Sequence, residues 1–133
     1  MTTHGLMDRV GDDNAGFSFG FDSVKGVFEV CAWGFWNVDV ARTFGIKVAS
    51  VLGQQSGSKR LAFDMSALKP MREEGQQSFA NLCRAFRSLG VTNVTVVTSS
   101  QLTKLQLARI VTENGASASV QWLSATAEPM RNT

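Results

Sequence analysis

A chain of 133 residues with 44% hydrophobic and 18% charged side chains has the size and balance of one globular domain around a single core. Its formal net charge of +2 is too small, and its Lys and Arg are too scattered between Arg9 and Arg131, to make a nucleic-acid surface. No apolar run is long enough to cross a bilayer, and the opening MTTHGLMDRVGDDN lacks the basic flank and apolar segment of a secretory signal, so a cytoplasmic protein without membrane contact is expected.

Residues 1–16 mix charge, glycine and polar groups without periodicity and read as a flexible leader. The lone histidine, His4, falls in it, which removes the usual general base and commonest metal ligand from the domain. Phe17, Phe19 and Phe21 then alternate with polar or small residues, as in a strand with one buried face. A turn over residues 23–26 leads into a second strand, residues 27–33, so the two form a hairpin. Gly34, Phe35 and Trp36 precede Asn37, a side chain suited to accept from the first free amides of a helix, with Asp39 near its positive end. Val40, Ala41, Phe44, Val48, Val51 and Leu52 make that helix's apolar stripe up to Gly53.

The polar GQQSGSK loop leads to a strand over residues 60–64, an acidic turn, and a helix whose stripe is Phe79, Leu82, Cys83, Phe86 and Leu89, closed by Gly90. Residues 91–97 are β-branched with little polarity, the pattern of a strand buried on both faces near the centre of a sheet. Ser99 or Ser100 caps a third helix running to Asn114 and Gly115; its apolar residues go most of the way round, which predicts burial on more than one side. A last strand, residues 117–123, precedes a short helical or frayed tail from Ser124. Strands alternating with helices need crossover connections, giving an α/β layer fold with a mixed, mostly parallel sheet of about five strands and three or four helices.

The order strand, strand, helix, strand, helix, strand, helix, strand, with Asp64 ending the third strand, resembles the STAS domain of bacterial anti-sigma-factor antagonists over residues 17–129, leaving 130–133 as a tail. In that family an Asp-Leu-Ser-like sequence ends the third strand and an Asp-Ser-Ser-Gly signature carrying the phosphorylated serine opens the next helix. Asp64, Met65 and Ser66 look like the first; Arg72, Glu73, Glu74 and Gly75 fall on the second. Both serines are acidic here, so the resemblance implies a signalling and regulatory protein-protein interaction module without a working phosphoserine switch. Glu73 or Glu74 supplies a permanent negative charge in its place, with neither the full charge nor the three acceptor oxygens of a phosphate.

The expected protein-partner surface is Arg72, Glu73, Glu74 and Gly75 with the aromatic Phe35 and Trp36; across the cluster of Trp33, Phe35 and Trp36 alternation predicts at least one exposed ring, and with it a homodimer contact. The plainer role of the two glutamates is favourable interaction with a helix start. An alternative from another class is a small-molecule or anion site at the end of the Asp64 strand, using Ser66 and Lys69; self-bonding of Asp64 and Ser66 within their own turn is the plainer account. No catalytic constellation, metal site or cofactor motif is recognised, so the expectation is a non-enzyme. Cys31 and Cys83 lack a paired spacing and read as inert, reduced thiols.

Overall fold

The computed structural model describes residues 4–125, with side chains from Asp8 onward. The chain orders itself as β1 (His4–Gly11), β2 (Ala15–Asp22), β3 (Val27–Gly34), α1 (Val38–Gly53), β4 (Lys59–Leu68), α2 (Glu73–Ala85), β5 (Val91–Thr98), α3 (Gln101–Glu113), a 3₁₀ turn (Ser117–Ser119) and β6 (Val120–Ser124). Among the described residues the fold is α/β: a mixed six-stranded sheet carrying three helices. The strands stand in the sheet in chain order; β1/β2 and β2/β3 are antiparallel, and the three pairs from β3 to β6 are parallel.

The expected hairpin is β2–β3. Its turn forms because the buried Asp22 carboxylate accepts the amides of Val24 (3.0 Å) and Lys25 (3.2 Å), while Gly26 takes the positive φ that closes it. Asn37 caps α1 as expected, its Oδ1 accepting the Val40 amide at 2.9 Å, and of the two candidate serines it is Ser100 that caps α3, by accepting the Thr103 amide at 3.2 Å.

Parallel strands added one after another by crossovers of one hand, right-handed by the general rule, place the three described helices on the same face of the sheet. Accordingly α1 packs beside α2 and α2 beside α3. One apolar core lies between: Phe17 and Phe19, Val30 and Ala32, Leu61, Phe63 and Met65, Val94 and Val96 from successive strands meet Phe44, Val48, Phe79, Leu82 and Leu107 from the helices. Trp36 stands within it, 4.9 Å from the Phe44 ring and 5.9 Å from Phe17.

Four expectations need correction. Part of the supposed leader is β1, paired with β2 from His4↔Asp22 to Gly11↔Gly16. Its sequence hid it because an edge strand carries charge: Asp8 faces the helical side, where its Oδ2 lies 3.1 Å from Lys47 Nζ, and that ammonium holds the carboxyl below its ordinary range, helped by the Arg9 amide. β4 does not stop at Asp64 but continues to Leu68, so Asp64–Met65–Ser66 is strand with a local register shift and not an acidic turn. β5 is buried on the helical face only, its Thr95 and Val97 half-buried and Asn93 exposed, since among the described residues no helix crosses the other face. α3 is likewise buried along one side only, the side it turns to the sheet and α2, through Thr103, Leu107, Ile110 and Val111, leaving Leu102 68% and Leu105 57% exposed. The expected tail beyond Ala125 lies outside the described residues. Among the described residues no helix is long and apolar enough to cross a membrane.

Candidate functional site

The connection from β4 to α2 is held from one side by α3. Thr103 Oγ1 donates to the Leu68 carbonyl (3.0 Å), and the Gln106 side-chain amide engages both backbone groups of Met71, accepting its N–H at 2.6 Å and donating to its carbonyl at 2.9 Å. Gln76 Nε2 also donates to the Met71 carbonyl (3.0 Å), and Arg109 donates to Gln76 Oε1 (2.8 Å). Met71 itself is buried. With its backbone and side chain both tied down, the segment delivers Arg72, Glu73 and Glu74 in a fixed position at the start of α2. Nothing in the sequence pattern singled out Gln106 or Thr103, because one polar residue on a helix looks like another until its neighbour is known.

Of the six residues expected to form a partner surface, the structure separates four from two. Phe35 is 48% exposed, and the Arg72 guanidinium carbon stands 4.8 Å over its ring, an arrangement stabilised by the ring quadrupole. Glu73 is exposed and Glu74 half-buried, both in the first turn of α2, where the capping residue Arg72 makes no side-chain bond to the helix amides. Trp36, by contrast, is only 3% exposed, and its Nε1–H donates to the Gly16 carbonyl at 3.0 Å; it belongs to the core and offers nothing to a partner. Gly75 is also buried, against Met71, whose Cβ and Sδ an added methyl would meet at 3.0 Å. Sequence alternation identified an exposed aromatic among the cluster but not which one.

Glu73 and Glu74 border a groove of about 650 Å³ between the outer sides of α1 and α2. The groove exists because small residues line it. The helices touch where the Gly45 amide donates to Ser78 Oγ at 2.8 Å, and Ala49 follows one turn along α1. Ile46 stands beside this crossing with 74% of its surface exposed, off the apolar stripe of α1. Arg42 lies on the α1 rim and the glutamates on the α2 rim; among the described residues none of the three has an ion-pair partner. A glycine inside an otherwise regular helix, Gly45, is the one sequence signal that could have pointed here, since it marks a close approach of backbone.

The face of the sheet opposite the described helices holds a second concavity, of about 580 Å³, lined by Ser18, Glu29, Cys31, Asp64, Ser66 and Val97 among others. Asp64 Oδ1 accepts both the Ser66 amide (3.1 Å) and the Ser66 hydroxyl (2.6 Å), the self-contained bonding that short polar side chains favour. Lys69 does not join them: it lies outside this lining, past the end of β4, where its amide donates to the Gly34 carbonyl. Of the three residues of the expected ligand site, Asp64 and Ser66 are brought together and Lys69 is not. Burial, and secondarily the carboxylate of Asp64, raises the Cys31 thiol above its ordinary range, which keeps it protonated. Burial pushes Cys83 up to about 12.

No protein-family model, curated protein or solved structure shows a significant match to the chain.

Proposed function

We propose that the protein is a non-enzymatic, STAS-like regulatory module that binds protein through the outer groove of α1 and α2, with the Phe35–Arg72 pair at its end. The observation that carries this reading is the groove: an exposed isoleucine beside a floor of small residues, rimmed by charged side chains with no partner among the described residues. An apolar concavity with a polar, charged rim is the composition of docking surfaces. The element order from β2 onward supports the family resemblance, as does the position of Arg72–Gly75 at the start of the helix that follows the Asp64 strand. Glu73 and Glu74 make the surface permanently charged, so control comes from the amount of partner and not from phosphorylation of this chain. A cytoplasmic location is part of the same proposal.

The test is affinity capture from the native source with wild-type protein, Ile46→Lys and the Glu73→Ser/Glu74→Ser pair. A captured protein lost with either variant is expected; capture indifferent to both removes the groove from consideration. The alternative, a ligand at the Asp64 strand, is favoured by the concavity on the face opposite the described helices, but its two lining carboxylates, Glu29 and Asp64, argue for a neutral or cationic molecule and against an anion. A saturable thermal shift abolished by Asp64→Asn, with no groove-dependent capture, would select that alternative.

A further inference from the structure

Resting on the reading of the α1–α2 groove as a protein-docking surface, we infer that its occupant is a second copy of this chain. The surface carries both halves of its own complement. Each helix joins parallel strands in the same sense, so α1 and α2 run side by side in the same direction. Their contact at Gly45 and Ser78 fixes the level of one against the other. Arg42 is three residues before Gly45 and Glu74 four before Ser78, so at about 1.5 Å of rise per residue they stand at nearly the same height on opposite rims. Ile46 projects next to the small-residue floor of Gly45, Ala49 and Ser78.

A two-fold axis along the groove lays α1 of each copy over α2 of the other. The Arg42 guanidinium then meets the Glu73 and Glu74 carboxylates of the second copy, twice by symmetry, and each Ile46 enters the other copy's groove. This is the isologous pattern in which residue i meets j and j meets i. An unrelated partner would have to supply knob, hole and both charges separately, whereas a second copy brings all of them at once. A net charge of +2 opposes the approach only weakly.

The footprint sets the strength. Sixteen helical residues span roughly 24 Å, and two helices side by side are roughly 20 Å wide, giving on the order of 500 Å² per copy. That is below the roughly 800 Å² per partner of a standard stable interface. The dimer is therefore in concentration-dependent exchange with monomer and not obligate.

Sedimentation equilibrium on the full chain from about 1 to about 500 µM tests this, a range that brackets the affinities of small interfaces. Wild type is expected to show a monomer–dimer equilibrium. Ile46→Lys and Arg42→Glu each weaken it at least tenfold, and the charge-exchanged Arg42→Glu/Glu73→Arg/Glu74→Arg regains it. Arg42, Ile46 and Glu73 are exposed, and thermal unfolding of each variant verifies that the fold is intact. Monomer throughout the range, or a dimer indifferent to these substitutions, overturns the inference. If the chain is monomeric yet captures a different protein in an Ile46-dependent way, the groove reading survives and the second copy does not; if capture too is indifferent, both fall.

Discussion

Substituting Gly45 by alanine sets two opposed effects against each other. Alanine in a helix interior is favoured over glycine by about 1 kcal/mol. Against this, a methyl at position 45 would lie 2.7 Å from the Ser78 carbonyl oxygen and 2.8 Å from Ser78 Oγ. The nearer atom is backbone, so no rotamer change relieves it and α1 must move away from α2. Overpacking of this kind costs about 1–3 kcal/mol, and a helix-to-helix backbone contact belongs at the upper end. The same movement loosens the Phe44–Phe79 contact beneath, whose centroids are 6.3 Å apart. The net loss is then about 2 kcal/mol, or roughly 8 °C in melting temperature for a chain of this length. Gly53→Ala is the control: there the added carbon meets only Leu89 Cδ2, at 3.7 Å, and a gain of about 0.5 kcal/mol is expected. Calorimetry on both variants, with Gly45→Ala/Ser78→Ala alongside, decides the matter. Because the carbonyl clash persists without the hydroxyl, the double variant should not recover. A Gly45→Ala protein as stable as wild type, or full recovery in the double variant, would refute the close-approach account.

Trp36→Ala should act on stability and not on assembly, losing about 3–5 kcal/mol because a large buried ring is removed and the Gly16 carbonyl loses its donor; chemical denaturation measures it, and unchanged stability would place the ring at the surface after all. Gln106→Ala leaves the Met71 amide without its acceptor and should cost about 1–3 kcal/mol, with faster hydrogen exchange at Met71 and Arg72 than elsewhere in the β4–α2 connection; uniform exchange across that connection would contradict the clamp. For Cys83 the folded-state pKa, about 12, lies above the ordinary 9.0, so the native state keeps a proton that the unfolded state gives up. Its contribution to stability is complete below pH 9 and declines as pH rises from 9 towards 12. Cys83→Ser, whose hydroxyl does not ionise in this window, should flatten that decline, and in native wild type at pH 8 iodoacetamide should leave Cys83 unmodified until denaturant is added; rapid native labelling would contradict its burial.

The elements written in local chemistry were legible in the sequence. Asn37 and the Ser99–Ser100 pair announce helix starts, the Phe17–Phe19 alternation announces a strand, and the Phe79–Leu82–Cys83–Phe86 spacing announces the inner face of α2, each needing only its immediate neighbours. What was hidden depends on partners distant in sequence. β1 is polar because it is an edge, and β4 was cut short because Asp64 and Ser66 are turn-forming residues, although Met65 and Leu68 carry its buried face onward. α3 and β5 looked doubly buried because their composition is apolar, whereas among the described residues α3 has nothing over its outer side and β5 no helix on the face opposite α1–α3. The candidate site divided in the same way: Glu73 and Glu74 were found by their position before a stripe, while Ile46, Arg42 and the Gly45–Ser78 crossing emerge only when two helices are set side by side.

The chain-order sheet has a consequence for how the molecule is made. Each strand leaving the ribosome pairs with the strand synthesised just before it, and none waits for a later segment to be inserted between existing neighbours. Assembly can therefore advance like a closing zip, carrying one unfinished border forward while the completed part is already hydrogen-bonded. The loop to be closed at each parallel step is one helix and its connections, which keeps the entropic barrier nearly constant from step to step. A nascent chain arrested after α2 should already protect the amides of β2, β3 and β4 from exchange, and the last parallel strand, β6, should be the part whose loss is most easily survived.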